Sequence, residues 1–454
     1  MAHDLRLEIS DFRAIGHADI ILDGITVIAG ENGSGKSTIS KLLYHTIKVV
    51  NEYDNIIDEQ LKNRLGRISF NFRDVLRDYS YVFEDGESKY DELNKQFSIA
   101  IQLVSTDFDE SQKQFINLIN NAIKWITDII NSLQNSDVRT TFQSISRFFK
   151  YDKEEHIERI YKVLSSDFFP FDREDIRAPV LDETLKKYKE YINSLFVGCK
   201  EAKYNRSAVE LGRKFVRQFE TDIEKLDFNV FESGIAVINR DYARLSTISC
   251  VENVIYIDTP LSLGALSDSN KNEHWSDLNK LLAKESYSID DSFANTIIHG
   301  SARLERTDLF RNKFVFKRDD DKEFNLLEVA TGIKSFAILQ MLLSNGSLNG
   351  NTLLILDEPE AHLHPQWIVE YGRFLVHLNK EVGVKILVAS HSPDMVSALK
   401  YITEKEGNPE ILNFYLAEQR ESEYKYDYRH LRKEIDAIFD SYNKSYEKLD
   451  NYTD

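Results

Sequence analysis

Gly30-Glu31-Asn32-Gly33-Ser34-Gly35-Lys36-Ser37-Thr38 is the stretch on which the reading of this chain turns. It fits the spacing G-x-x-x-x-G-K-[ST] of a loop that cradles phosphates. Its flanks suit that reading. GITVIA at 24–29 reads as a short apolar strand, and STISKLLYHTIKVV at 37–50 as a helix. Glycines let successive backbone N–H groups turn inward, and the helix N-terminus adds a partial positive charge. Lys36 is then placed to reach the β- and γ-phosphates of a nucleotide, and Ser37 to ligate Mg²⁺. One such loop implies nucleotide binding and nothing more, so the rest of the chain decides what is done with the nucleotide.

The chain has 454 residues, enough for two or three domains at roughly 100–200 residues each. Acidic residues outnumber basic ones, 75 to 57, for a net charge of −18, which disfavours coating by a phosphate backbone. No apolar run approaches the ~18 residues of a membrane span, and MAHDLRLEIS carries no signal pattern. Two cysteines, Cys199 and Cys250, are too few for a disulfide framework, so a cytoplasmic location and buried thiols are expected.

Before the loop, residues 4–29 read as three short strands with Gly16, Asp23 and Gly24 in the turns, and Arg13 as a solvated turn residue. Residues 51–300 read as a polar, mostly helical insertion. Phe115, Ile119, Ile123, Ile126, Ile130 and Leu133 recur at spacings of three and four within 109–134, with Asp107 or Asp109 as cap. Further helices are expected at 183–197 and 206–227, and no long coiled-coil arm. ENVIYID at 252–258 reads as a strand returning to the core sheet. Residues 303–318 are locally basic and read as the solvated face of a hairpin whose polar tip is Asp319-Asp320-Asp321.

The loop's companions lie far downstream. TLLILDEP at 352–359 reads as a buried parallel strand ending in two carboxylates at the sheet edge where ligands bind in such folds. Asp357 is the expected metal residue. Glu358 is the expected catalytic residue that orients and deprotonates the attacking water. KILVASHSP at 385–393 is a second buried strand, and its His391 is placed to hydrogen-bond the γ-phosphate or that water.

This order of phosphate loop, insertion, LLILDEP and SH resembles the ABC-type ATPase heads. It is most similar to the branch with chromosome-maintenance heads and the overcoming-lysogenization-defect (OLD) ATPases. The resemblance implies an α/β, ABC-type P-loop NTPase head with a mixed sheet and a large, mainly helical inserted lobe. It implies ATP and Mg²⁺ as cofactors and EPEAHLHP at 358–365 as the D-loop, which accounts for His362 and His364 better than a metal pair does. It also implies a signature helix acting on a second copy's nucleotide. Ala330-Thr331-Gly332-Ile333-Lys334-Ser335-Phe336 holds that place, with Thr331, Gly332 and Lys334 as the nucleotide contacts. Ile333 and Lys334 depart from the usual L-S-G-G-Q, removing one close backbone approach and adding a cation. ATGIKSFAILQ and EAHLHPQW are especially similar to bacterial antiphage-defence ATPases of the Septu (PtuA) type, which work with a separate HNH nuclease.

The sequence shows no nuclease constellation of its own, neither HNH nor the acidic pattern of a TOPRIM domain, so nuclease activity is expected to come from a partner. The domains read as 1–50, the first part of the core; 51–300, the insertion; 301–400, the second part of the core; and 401–454, a tail. A tail helix is expected at 428–449, with Leu431, Ile435, Ile438, Tyr442, Tyr446 and Leu449 as its apolar stripe. The function that follows is ATP-controlled self-association that senses for, or controls, a nuclease. A DNA-maintenance head that binds DNA directly, a transporter subunit and a non-hydrolysing assembly switch are the competing readings.

Overall fold

Alternation builds the first strand. In β1 (Leu5–Phe12) Leu5, Leu7 and Ile9 are buried and the residues between them half-exposed, the period of two that a sheet with one covered face imposes. β1 pairs antiparallel with β2 (Ile15–Ile21). β3 (Ile25–Ala29) is buried at every position and runs into the glycine loop. The computed structural model describes residues 5–80, 85–135, 153–164, 181–222, 226–263, 273–285, 292–306, 312–361, 363–421 and 423–440.

The main sheet adds β4 (Asp227–Glu232), β5 (Ile235–Ala236), β8 (Asn253–Ile257), β12 (Thr352–Asp357), β13 (Lys385–Ser390), β14 (Leu412–Gln419) and β15 (Tyr426–Arg432). Its order is β5-β4-β1-β2-β15-β14-β3-β13-β12-β8. The run from β14 to β8 is parallel, while β1, β2 and β4 are joined antiparallel, so the sheet is mixed. This is the α/β P-loop NTPase architecture expected from the sequence. β6 (Ile238–Asn239) and β7 (Arg244–Leu245) form a small ribbon, and β9 (Gly300–Arg306), β10 (Asn312–Arg318) and β11 (Glu323–Asn325) a three-stranded sheet. In that sheet Arg303 pairs with Glu305 and Glu323, Arg318 with Asp320, and Lys317 with Asp321. Arg303, Lys317 and Arg318 of the basic stretch are thus paired with acids on the same small sheet.

Two compact units divide the chain: Met1–Asn51 with Ser207–Asp454, and Glu52–Arg206. The second unit consists of helices α2 (Tyr53–Tyr79), α3 (Gly86–Gln102), α4 (Phe108–Asn135), α5 (Lys153–Leu164) and α6 (Leu181–Asn205). In α4 the residues singled out by periodicity are buried, and Asp107 caps the helix by accepting from the Glu110 N–H at 3.1 Å. Aromatic edges fix the helix pairs, Phe97 to Phe115 at 5.4 Å and Phe72 to Tyr188 at 5.4 Å. The helical unit is shorter than the 51–300 insertion read from sequence, because 207–300 carries β4 to β9, and β4, β5 and β8 join the main sheet.

The first unit supplies α1 (Lys36–Asn51), α7 (Val209–Phe219), α8 (Glu273–Leu282), α9 (Ser292–Ile298), α10 (Thr331–Ser344), α11 (Pro365–His377) and α12 (Pro393–Lys405). α1 lies against β8, β12 and β13, burying Ile39, Leu42, Leu43 and Ile47. Another core gathers α10, α11 and α12 around Phe336, which meets Trp367 at 5.3 Å and Tyr371 at 5.1 Å.

Three expectations are corrected. The helix read at 206–227 is only α7; Glu220 turns left-handed (φ 57°) to end it, and Asp227 opens β4. The helix read at 428–449 begins as β15, in which Tyr426, Tyr428 and Leu431 are buried; helix occupies 436–440, and Tyr442, Tyr446 and Leu449 lie outside the described residues. Ile435 and Ile438 join the chain's own core, and β14 and β15 sit mid-sheet, so 412–432 is core rather than tail. Third, Arg13 is not simply solvated: its guanidinium donates to the Phe219 carbonyl at 2.9 Å and lies over the Phe12 and Phe219 rings.

Candidate functional site

Three adjacent parallel strands end together. Ser390 of β13 stands beside Ala29 of β3, and Ala389 beside Asp357 of β12. The next residues, Gly30, His391 and Glu358, therefore leave one sheet edge within a few ångströms of each other. Register alone brings together segments separated by hundreds of residues.

The loop is shaped by its glycines at two points. Gly33 (φ 85°) and Gly35 (φ 104°) are left-handed, and a Cβ on Gly35 would lie 2.8 Å from Ile15 Cγ1. α1 starts at Lys36, and the Thr38 and Ile39 N–H groups donate to the Gly35 carbonyl. Tyr428 of β15 pins the loop from below, its hydroxyl donating to the Ser34 carbonyl at 3.0 Å. Lys36 is buried and donates to the carbonyls of Gly30 at 2.8 Å and Glu31 at 3.0 Å. Burial pushes its pKa down, opposed by Glu358, Asp357 and Glu360. Ser34 Oγ is buried without a partner, and around Gly33 the space is open.

Asp357 is buried at the end of β12. Its Oδ2 accepts from the Tyr256 hydroxyl at 3.0 Å, while Oδ1 is buried without a partner. Burial pushes its pKa above the usual carboxylate value, and the Ser37 and Tyr256 hydroxyls pull it back. Glu358 follows in the left-handed region (φ 50°), its N–H held by the Ala389 carbonyl at 2.8 Å. A non-glycine residue in that region is strained, and such strain clusters at functional sites. The turn aims the Glu358 carboxylate at His391, Oε1 to Nδ1 3.4 Å.

Glu360 is the residue that reading the sequence passed over except as part of the D-loop. Its buried carboxylate oxygen Oε1 accepts from Ser390 Oγ at 2.7 Å and from the His391 N–H at 2.9 Å, and lies 3.4 Å from His391 Nδ1. It ties the turn after β12 to the turn after β13. Its Oε2 is buried without a partner. His364 caps α11, Nδ1 facing the Gln366 N–H at 3.5 Å, and His362 lies outside the described residues.

Thr331, Gly332 and Lys334 form the first turn of α10, where Ala330 offers no side-chain cap. Gly332 stands beside Leu363 of the D-loop, 3.4 Å from where its Cβ would be. Among the described residues no hydrogen bond or ion pair joins Thr331–Lys334 to Gly30–Thr38. The structure thus brings together Gly30–Thr38, Asp357, Glu358 and His391, while Thr331–Lys334 makes no hydrogen bond or ion pair to that loop. Among the described residues there is also no cluster of three or more His, Cys, Asp or Glu suited to a metal, and no helix long and apolar enough to cross a membrane.

A glycine loop on one strand and paired carboxylates on the next strand but one define a P-loop ATPase. A family model described as AAA ATPase domain matches residues 5–396, and the chain belongs to that family. Over 44 residues it is 46% identical to the energy-coupling factor transporter ATP-binding proteins EcfA2 and EcfA3 of Clostridium perfringens strains. Those matches cover 10% of this chain and 15% of each transporter protein. Among solved structures, the Smc head domain with a coiled coil and joint from Pyrococcus yayanosii aligns over 97% of this chain and 100% of that one, at 10% identity and a TM-score of 0.35. The Smc head with an extended coiled coil from Pyrococcus furiosus covers 100% of both chains at 11% identity and a TM-score of 0.33.

Proposed function

We propose that this chain is an ABC-type ATP hydrolase that self-associates, holding nucleotide between Gly30–Thr38 of one copy and Thr331–Lys334 of another. The observation that carries this is the convergence of Lys36, Asp357, Glu358 and His391 at the ends of three adjacent strands. The residues suit the expected cofactors. Gly33 leaves room for phosphate, the unpartnered Ser34 Oγ is a spare polar group, and the unpartnered Asp357 Oδ1 is an oxygen suited to a cation. Ser37 and Asp357 would hold Mg²⁺ together with phosphate oxygens, the arrangement this cation favours. When bound, Mg²⁺ neutralises charge on the β- and γ-phosphates.

The chain's own groups divide the remaining work. Lys36 exchanges its loop carbonyls for phosphate oxygens. Glu358 accepts the proton of the attacking water, and His391 fixes that water or the γ-phosphate. Glu360 holds His391 in place. A second copy's Thr331, Gly332 and Lys334 complete the cage with backbone N–H groups and a cation. Phosphate release by purified protein tests the assignment: Glu358→Gln is expected to hydrolyse far more slowly while still binding ATP. Full turnover in that variant refutes the role of Glu358, and negligible turnover in the wild type favours the non-hydrolysing switch.

The biological setting we propose is bacterial antiphage defence, with ATP-dependent association controlling a separate nuclease, HNH-type favoured. The support is the resemblance of residues 330–340 and 360–367 to PtuA-type ATPases. Phage plating on cells carrying wild-type or Lys36→Ala protein with its neighbouring reading frame tests it. Equal plating on both contradicts it.

A further inference from the structure

Asp357 has a tyrosine on Oδ2, while its Oδ1 is buried without a hydrogen-bond partner and the Ser37 hydroxyl stands near the carboxylate, and that tyrosine is held by a chain of side chains outside the phosphate site. Tyr256 stands on β8 beside Ile355 of β12, two residues before Asp357 on the same face. The reach across two residues, roughly 6–7 Å, suits a phenol and exceeds a serine or aspartate. Its buried hydroxyl donates to Asp357 Oδ2 at 3.0 Å. The ring packs against two others, His274 of α8 at 4.6 Å and Tyr44 of α1 at 5.7 Å, which also touch each other.

His274 is buried too, and its Nε2 faces Asp258 Oδ2 at 2.9 Å. Asp258 Oδ1 accepts from Trp275 Nε1 at 2.8 Å. Burial would raise the Asp258 pKa, yet these two donors hold it below the ordinary value. Asp258 directly follows β8, as Glu358 follows β12, so the network starts at the same sheet edge as the site.

We propose that Tyr256 is the positioning residue of the cation site: it occupies Asp357 Oδ2, so that Oδ1 is the oxygen presented to the metal, and His274 and Asp258 lock the tyrosine for that task. The inference rests on the reading of Asp357 as a metal ligand. Partners of this kind orient a ligand and govern its affinity for the ion without touching it. Tyr256→Phe keeps the ring and its tilted contacts with His274 and Tyr44 and removes one donor.

The test is Mn²⁺ binding to the full-length protein with ATP, followed by electron paramagnetic resonance, beside ATP binding in EDTA and thermal unfolding. Tyr256→Phe is expected to weaken Mn²⁺ binding about tenfold and to leave ATP binding in EDTA unchanged. Asp258→Asn is expected to weaken Mn²⁺ in the wild-type background and to add nothing in the Tyr256→Phe background, the signature of two residues acting through one. Wild-type Mn²⁺ affinity in both single variants overturns the proposal, as does an equal loss of ATP binding in EDTA. Asp357→Asn separates the two levels. If it weakens Mn²⁺ and Tyr256→Phe does not, the role of Tyr256 fails alone; if it too leaves Mn²⁺ affinity unchanged, the metal reading fails and this inference with it.

Discussion

The sheet edge after β3, β12 and β13 and the first turn of α10 are both proposed to meet the same nucleotide, yet they are built differently. At the sheet edge the main side chains are tied to one another: Lys36 to its own loop, Tyr256 to Asp357, Glu360 to Ser390 and His391. At α10, Ala330 provides no cap and Thr331 to Lys334 make no bond to the loop. A preorganised edge can stabilise charge without rearranging when a ligand arrives. An uncapped helix start is suited to a surface completed by something outside the chain. On the proposed reading, the difference leaves phosphate and water handling to one chain and cage closure to association.

The contrast can be broken most sharply at its preorganised side. Lys36→Ala or Glu358→Gln is expected to reduce phosphate release about 100-fold or more, with Lys36→Ala also weakening ATP binding and Glu358→Gln retaining it. Equal losses of binding in both variants would erase the distinction between holding phosphate and activating water.

A smaller effect is expected at Glu360→Gln, which keeps one oxygen for Ser390 and the His391 N–H but loses the charge facing the imidazole. Turnover should fall about fivefold to tenfold at unchanged ATP affinity, since one charged hydrogen bond is worth ~1–3 kcal/mol. A fall in affinity with unchanged turnover would place Glu360 in nucleotide binding instead.

The smallest effect has the opposite sign. The Asp357 pKa is raised in the folded chain, so any stability linked to its proton is present below the unfolded value and lost as pH rises through the folded value. At neutral pH the buried charge therefore costs stability. Asp357→Asn should raise the unfolding midpoint of the nucleotide-free protein, by about 1–2 °C at pH 7, with the gain shrinking on acidification. A midpoint lowered at pH 7 would show that Asp357 contributes to the fold.

The two sides also differed in how much of them sequence could reveal. The loop, LLILDEP and SH were legible because each couples a strand to a functional turn within a dozen residues. α4 was legible because its apolar residues keep one period throughout. Tyr256 and Glu360 were not, since their roles depend on register between strands a hundred residues apart and on the pairing of two turns. Near the C-terminus two periods overlap: Tyr426, Tyr428 and the residues between them alternate as a strand, while Leu431, Ile435 and Ile438 keep a helical spacing. Reading the helical spacing back through Leu431 concealed β15, and with it Tyr428, whose hydroxyl holds the phosphate loop. The helical unit's lower boundary stood out as a change of pattern after Asn51, whereas its upper boundary lay hidden in short strands.

Mixing two inactive variants tests the central claim most directly. Lys36→Ala damages the loop and Lys334→Glu damages the signature, so neither homo-oligomer should hydrolyse ATP. In a two-fold sandwich, half of the dimers in an equimolar mixture would be mixed, each with one intact site, restoring about a quarter of wild-type phosphate release. Activity no greater than that of the separate variants, with exchange of protomers verified, or full activity in Lys334→Glu alone, would contradict a site shared between two copies.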